Sequence, residues 1–399
     1  MQPAPLDATS GALPAPSAEA RAHSERVVAH IASSIAAAGG WISFADYMGA
    51  ALYAPGLGYY VSGTRKFGVG GDFVTAPELT PLFGRALASQ LVEVLAQTGG
   101  DIIELGPGSG RLAADILSAL DERNALPKRY RLLEVSPELR ERQHAHLIGK
   151  IASLSSCVEW IEVLPERWRG VIIANEVLDA VPPHLIARQQ GAWYERGVAV
   201  EGEILALVDR PLESRSLREM ALRLFPAQGD YASEINPAAQ ALVTSLAHRC
   251  DAGALLLIDY GFPAREYYHE QRSGGTLMAH YQHRALADPL FQPGLADLTA
   301  HVDFTAMAMV GVGAGMHVGG FTTQAHFLIN CGILDLLAGS SDIQSAAYLR
   351  EASAVNKLLS PAEMGELFKV LALTRSCATS LGFSSGDQRH RLEGLGATQ

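Results

Sequence analysis

Basic residues are in short supply: 31 Lys and Arg stand against 42 Asp and Glu in 399 residues, a formal net charge of −11 at pH 7. That balance disfavours binding to a phosphate backbone, so no nucleic-acid partner is expected, and it favours a basic protein or peptide. Cysteine is scarce too. Cys157, Cys250, Cys331 and Cys377 lie far apart with no Cys-x-x-Cys pair, which argues against a zinc site or a disulfide framework and for a reducing compartment. No apolar run approaches the roughly 20 residues that span a bilayer. Residues 1–20, rich in Ala, Pro and Ser and carrying Asp7 and Glu19, lack the marks of a signal peptide or an arginine-rich presequence. A disordered tail over 1–20, a cytoplasmic location and no membrane partner are therefore expected. No internal repeat is visible. What remains is apolar: 48% hydrophobic against 18% charged residues supports a sizeable core, in one large α/β domain with additions.

Residues 101–110, Asp-Ile-Ile-Glu-Leu-Gly-Pro-Gly-Ser-Gly, run an apolar strand into a glycine turn. In open parallel sheets such a turn brings backbone close to a nucleotide-type ligand, and Gly106, Gly108 and Gly110 can take positive φ without a Cβ clash. A second short strand, Arg131-Leu132-Leu133-Glu134-Val135, ends in an acid suited to accept both ribose hydroxyls. Ser136-Pro137-Glu138 then signals a helix N-terminus, so Glu134 could equally be an ordinary residue before a helix. A dinucleotide site wants a third glycine three residues after the second, and Arg111 stands there. Glu104 beside the turn suits the cationic methionine end of S-adenosyl-L-methionine better than a diphosphate, although it could also cap local amides. A nicotinamide-dependent oxidoreductase is the enzymatic alternative.

Helical spacing covers residues 21–38 and part of 43–53. Residues 54–74 combine glycines with Tyr59, Tyr60, Phe67 and Phe73, and read as a lid-like ordered loop over a site or as a plain surface loop. Thr75-Ala76-Pro77-Glu78 has capping-box spacing ahead of a long amphipathic helix, so Thr75 and Glu78 are explained by capping, with ligand contact as the second reading. Helices at 110–121 and 137–146 alternate with strands at 130–135, 158–163 and 171–175, the pattern of a doubly wound parallel sheet. Short antiparallel strands within 184–208 suggest an inserted β-hairpin lobe. A helix at 238–249 and a buried strand at 255–259 follow, then helices around 323–337, 345–358 and 361–366 and a strand at 368–373. The expected division is a tail (1–20), an N-terminal helical extension with the lid-like segment (21–98), a catalytic domain (99–385) with insertions around 184–235 and 262–320, and a second tail (386–399).

Ile173-Ala174-Asn175-Glu176-Val177-Leu178-Asp179 opens a buried strand into a polar segment, at the end of the sheet where such folds place their sites. One helical turn would bring Glu176 and Asp179 to one face, able to hold a guanidinium through charge-assisted hydrogen bonds; ordinary acids at a helix start would look the same. Asp297, Thr299, His301 and Asp303 alternate with apolar residues, as at the edge of a polar cleft or on a half-exposed strand. His301 reads as structural, because imidazole cannot deprotonate an arginine.

Together, Gly58-Tyr59-Tyr60, residues 71–78 (Gly-Asp-Phe-Val-Thr-Ala-Pro-Glu), Glu104-Leu105-Gly106-Pro107-Gly108, Asn175 to Ala180, Asp259-Tyr260-Gly261 and residues 294–304 resemble the mitochondrial complex I assembly-factor family of S-adenosylmethionine-dependent protein arginine methyltransferases. The resemblance spans roughly residues 24–385. It implies a class I methyltransferase (Rossmann-like) α/β fold, S-adenosyl-L-methionine as cofactor, and a protein or peptide substrate with an exposed arginine; no metal is expected, from the cysteine spacing. By position it assigns Glu104, Gly106, Gly108 and Glu134 to cofactor motifs, joined by Gly110 from the turn. It assigns Thr75, Pro77 and Glu78 to the lid-like segment, and Asn175, Glu176 and Asp179 to the catalytic motif. A binding or assembly factor without turnover is the further alternative. The sequence leaves the oligomeric state open.

Overall fold

The computed structural model of the chain describes residues 13–62, 75–339 and 343–392. Seven strands of an eight-stranded central sheet are β1 (Asp101–Leu105), β2 (Tyr130–Leu133), β3 (Val158–Ile161), β4 (Trp168–Asn175), β5 (Cys250–Phe262), β6 (His317–Thr323) and β7 (Phe368–Arg375). Their spatial order is β6-β7-β5-β4-β1-β2-β3, and Val302–Asp303 adds a short parallel strand beside β5. From β5 to β3 every pairing is parallel, while β7 runs antiparallel to both its neighbours. This is the class I methyltransferase order. The chain leaves β1 toward β2 and β3, then returns to β4 on the other side, so a crevice opens at the C-terminal ends of β1 and β4.

Both faces of the sheet are covered, which explains the continuous apolar runs in β4 and β5. Ala254, Leu256 and Ile258 point into one core with the helices Leu82–Thr98 and Arg111–Glu122. Leu255 and Leu257, one residue out of step, point into the other with Pro237–His248 and Phe304–Gly313.

Beside this sheet, Ile42–Ser43, His184–Gln189, Ala192–Glu201, Ile204–Pro211 and Tyr231–Ile235 form a five-stranded antiparallel sheet. The helices Ala18–Ala37 and Phe44–Tyr53 pack with Met278–Tyr281 and Asp297–Thr299 of a small three-stranded sheet. Ser17 caps the first helix, accepting the Ala20 N–H at 3.1 Å. Residues 1–12 of the expected N-terminal tail, 63–74 of the lid-like segment and 393–399 of the C-terminal tail lie outside the described residues.

Several element expectations are corrected. The helix drawn from Thr75 is two, Ala76–Leu79 and Leu82–Thr98, because Thr80 is extended and Pro81 starts a new turn. The 323–337 helix is likewise split at Gly332, whose φ is +84°. Residues 361–366 are turns that close back on Ser360 rather than a helix. The strand β6 and the helices Arg215–Leu224 and Phe304–Gly313 have no counterpart in the sequence reading.

Candidate active site

A cavity of about 320 Å³ occupies the crevice. On the β1 side, Gly106, Gly108 and Gly110 all take positive φ, +59°, +52° and +81°. Glu104 is buried and accepts the Tyr130 hydroxyl from β2 at 2.6 Å. Burial pushes its carboxyl up to about 8 despite that bond. Glu134, just past β2, accepts the Ser136 N–H at 2.8 Å and the Gln143 side-chain amide at 3.1 Å. Burial raises its carboxyl above the usual range, and those bonds pull it back. Beside it Val135 is 65% exposed and lines the cavity with Leu139, an apolar patch fit for a flat base.

On the β4 side the chain turns sharply. Glu176 has φ +52°, uncommon for a non-glycine residue, and no helix follows. Asp259, from the adjacent β5, supplies the reason: one of its carboxylate oxygens accepts the N–H groups of Val177, Leu178 and Asp179 at 3.2, 3.0 and 3.3 Å. The expected one-turn helix presenting Glu176 and Asp179 is therefore corrected to a carboxylate-centred loop. Glu176 accepts the Ala76 N–H and the Asn175 amide, both at 3.3 Å. Tyr260 donates its hydroxyl to Asp179. Burial, with Asp179 adding to it, pushes Glu176 up to about 8; burial pushes Asp179 to about 6 and raises Asp259 as well. The far wall is aromatic: Tyr53 stacks on Tyr60, whose hydroxyl donates to both carboxylate oxygens of Asp297 at 2.9 and 3.0 Å.

This set of acceptor oxygens fits a cation. Buried Asn175 Oδ1 and Asp179 Oδ1 have no hydrogen-bond partner, and the carboxyls driven upward by burial gain most from a bound positive charge. Among the described residues, no His, Cys, Asp and Glu cluster could hold a metal ion.

Most residues singled out from the sequence meet here. Thr75, Pro77 and Glu78 line one side of the cavity, Glu104, Gly106, Gly108 and Glu134 its floor, and Asn175, Glu176 and Asp179 the other side. Gly110 does not line it; its φ of +81°, left-handed at the start of the helix Arg111–Glu122, is what calls for glycine there. Capping explains Thr75 and Glu78 only in part. The Thr75 side chain makes no cap bond, and the Glu78 carboxylate takes the Ser109 hydroxyl and lies 3.4 Å from Arg111, locking the short helix onto the glycine turn. Asp297 and Thr299 face the cavity. His301 and Asp303 do not: Asp303 caps the helix at Phe304, accepting the Ala306 N–H, and His301 packs on Tyr260 and Phe262, its imidazole pushed to about 3 by burial.

Gln143 was not singled out from the sequence, and for Asp259, Tyr60 and Asp297 the motifs were noted but their contacts were not. Gln143 is fully buried between Glu134, the glycine turn and Trp160. Asp259 and the Tyr60–Asp297 pair join segments far apart in the chain. The acid directly after the apolar run Leu255–Ile258 was a signal for Asp259, since a carboxylate within a buried strand needs donors.

A family model described as an S-adenosyl-L-methionine-dependent methyltransferase matches residues 86–322. The mitochondrial protein arginine methyltransferase NDUFAF7 of Danio rerio is 31% identical over 377 residues, 87% of this chain and 86% of that protein. Its Drosophila melanogaster homolog is 31% identical over 84% of this chain and 82% of its own length. The crystal structure of a Burkholderia thailandensis protein bound to S-adenosyl-homocysteine superposes with a TM-score of 0.91 at 45% identity, covering 95% of this chain and 99% of that one.

Proposed function

Because the chain belongs to the family of S-adenosyl-L-methionine-dependent methyltransferases, we propose that its acceptor is the arginine side chain of a protein. The observation that carries this reading is the pair Glu176 and Asp179, held in the same cavity as the cofactor turn by a third carboxylate. Two acids on one wall suit a planar, permanently charged fork with several donors. The names of the relatives, protein arginine methyltransferases, agree with that choice.

Glu104 would face the cationic methionine end of the cofactor, Glu134 would accept the ribose hydroxyls, and Thr75, Pro77 and Glu78, which line the cavity, would close it over the cofactor. S-adenosylmethionine supplies a methyl group already activated by its sulfonium. The chain has to align the acceptor nitrogen and exclude water. Glu176 and Asp179 orient the guanidinium, and Asn175 fixes Glu176. Glu176, raised to about 8, is the better proton acceptor when the nitrogen gains carbon and sheds a proton. Tyr53, Tyr60 and Tyr260 shield the transfer path from water.

Incubating the protein with labelled S-adenosylmethionine and cell lysate, followed by mass spectrometric mapping, tests the reading. Methyl groups on guanidino nitrogens are expected, with Glu176→Gln lowering the rate at least about 100-fold. Label confined to lysine, glutamine or small molecules refutes the guanidinium role. Cofactor binding without any label would instead favour an assembly factor that has lost turnover.

A further inference from the structure

Gln143 sits one and a half turns into the helix Pro137–Ile151, fully buried, and every polar atom of its amide is used. The Trp160 indole can only donate, and it donates to Gln143 Oε1 at 2.9 Å. That fixes which way the amide faces: Nε2 must point to the two acceptors opposite, the Gly108 carbonyl at 2.9 Å and Glu134 Oε2 at 3.1 Å. One neutral side chain thereby ties the glycine turn, the acid after β2 and β3 together. Gly110, whose φ of +81° calls for glycine, lies in the turn against which Gln143 packs; a Cβ there would be in ordinary contact with it, 3.5 Å from Gln143 Cα.

We propose that Gln143 is a positioning residue for the cofactor, holding the Glu134 carboxylate in register with the glycine turn so that its free lone pairs meet the ribose hydroxyls. The proposal rests on the reading of Glu134 as the ribose anchor. An ionised carboxylate offers about four acceptor positions. Gln143 takes one on Oε2 and the Ser136 N–H one on Oε1, and the Val135 N–H also acts on the carboxylate, which still leaves acceptor capacity for ribose hydroxyls. A neutral amide does this without adding charge; a glutamate at 143 would repel Glu134, and a lysine would compete with the hydroxyls for it.

Isothermal titration of the full chain with S-adenosylhomocysteine and with its 2′-deoxy and 3′-deoxy ribose analogues tests this through a ratio of affinities. The unmodified protein is expected to prefer the intact ribose by at least about tenfold. In Gln143→Leu, S-adenosylhomocysteine should bind roughly 10- to 100-fold more weakly, as expected for losing a hydrogen bond to a charged group. The deoxy analogues should lose much less, so the ratio falls toward one. A merely structural role would weaken all ligands alike and leave the ratio unchanged, which overturns the proposal. Should Gln143→Leu fail to fold, Trp160→Phe carries the test: it removes only the donor that fixes the amide, and a several-fold fall in the ratio is expected. An unchanged ratio in a folded Trp160→Phe refutes the proposal in that case. Glu134→Ala separates the two levels. If it leaves the ratio intact, the ribose reading itself fails and the proposal with it; if it abolishes the preference while Gln143→Leu does not, only the role of Gln143 is lost.

Discussion

At the scale of single residues, the cavity gathers carboxyls in a state that favours a positive guest. Only their ionised forms attract a cation, and burial has moved the ionisation of Asp179 to about 6 and of Glu176 to about 8. kcat/KM for an arginine-bearing peptide should therefore climb as pH rises from about 6 to about 8 and level off above. Glu176→Gln should remove the upper part of that limb and leave the part near pH 6; a flat profile from pH 6 to 8.5 would contradict the assignment. Asp259 makes a second case. Asp259→Ala strands four buried N–H groups, three in the loop and that of Tyr260, and should cost about 2–4 kcal/mol of stability, whereas Asp259→Asn keeps one acceptor oxygen and should cost roughly half as much. Chemical denaturation of both variants measures the difference, and equal losses would refute the cradle. The types and clustering of Glu104, Glu134, Glu176 and Asp179 were legible in the chain. The partners that Asp259 finds at positions 177–179 and Gln143 at 108, 134 and 160 were not, because hydrogen bonds spanning 9 to 82 positions follow no local spacing rule.

At the scale of elements, what sequence revealed and what it hid divide along physical lines. Strands buried on both faces announce themselves as apolar runs, and the helix Arg111–Glu122 shows its apolar stripe. The errors fall where a local rule is overruled by contacts from elsewhere. Capping-box spacing at Thr75 predicted one long helix, yet Glu78 is recruited by Ser109 and Arg111, and the chain reorients at Thr80. Spacing of three predicted a helical turn for Glu176 and Asp179, yet Asp259 gathers the same amides into a loop. Gly58 illustrates an element-level constraint with a measurable cost. A Cβ there would lie 2.5 Å from the backbone of Leu52 and Tyr53, where the helix Phe44–Tyr53 ends. Backbone cannot yield as a flexible side chain does, so Gly58→Ala should separate the helix end from Tyr59 and Tyr60 and cost more than about 2 kcal/mol. A melting temperature equal to that of the unmodified protein would show that this contact is looser than described.

At the scale of the whole molecule, the buried carboxyls couple stability to pH and to ligand. Glu104 and Glu176 ionise near 8 and Asp179 and Asp303 near 6 in the folded chain, against roughly 4 when unfolded. Between those values the folded state holds protons that the unfolded state has released, so stability falls as pH rises from about 4 and the full penalty is reached only above 8. The formal charge of −11 pushes the same way through surface repulsion, but salt screens that part and not the buried part. The melting temperature of the ligand-free protein should therefore decline from pH 5 to pH 8 even in about 0.5 M salt, where the Debye length is only about 4 Å, and Glu104→Gln should flatten the decline. A cationic ligand reverses the penalty by stabilising the ionised forms, so the gain from S-adenosylmethionine should grow over the same pH range. S-adenosylhomocysteine, lacking the sulfonium charge, should show a flatter gain. Thermal unfolding across this pH series with each ligand checks both slopes: parallel gains for the two ligands would mean that the carboxyls do not sense the sulfonium, and a stability that rises toward pH 8 without ligand would mean that they are not held in their protonated forms at all.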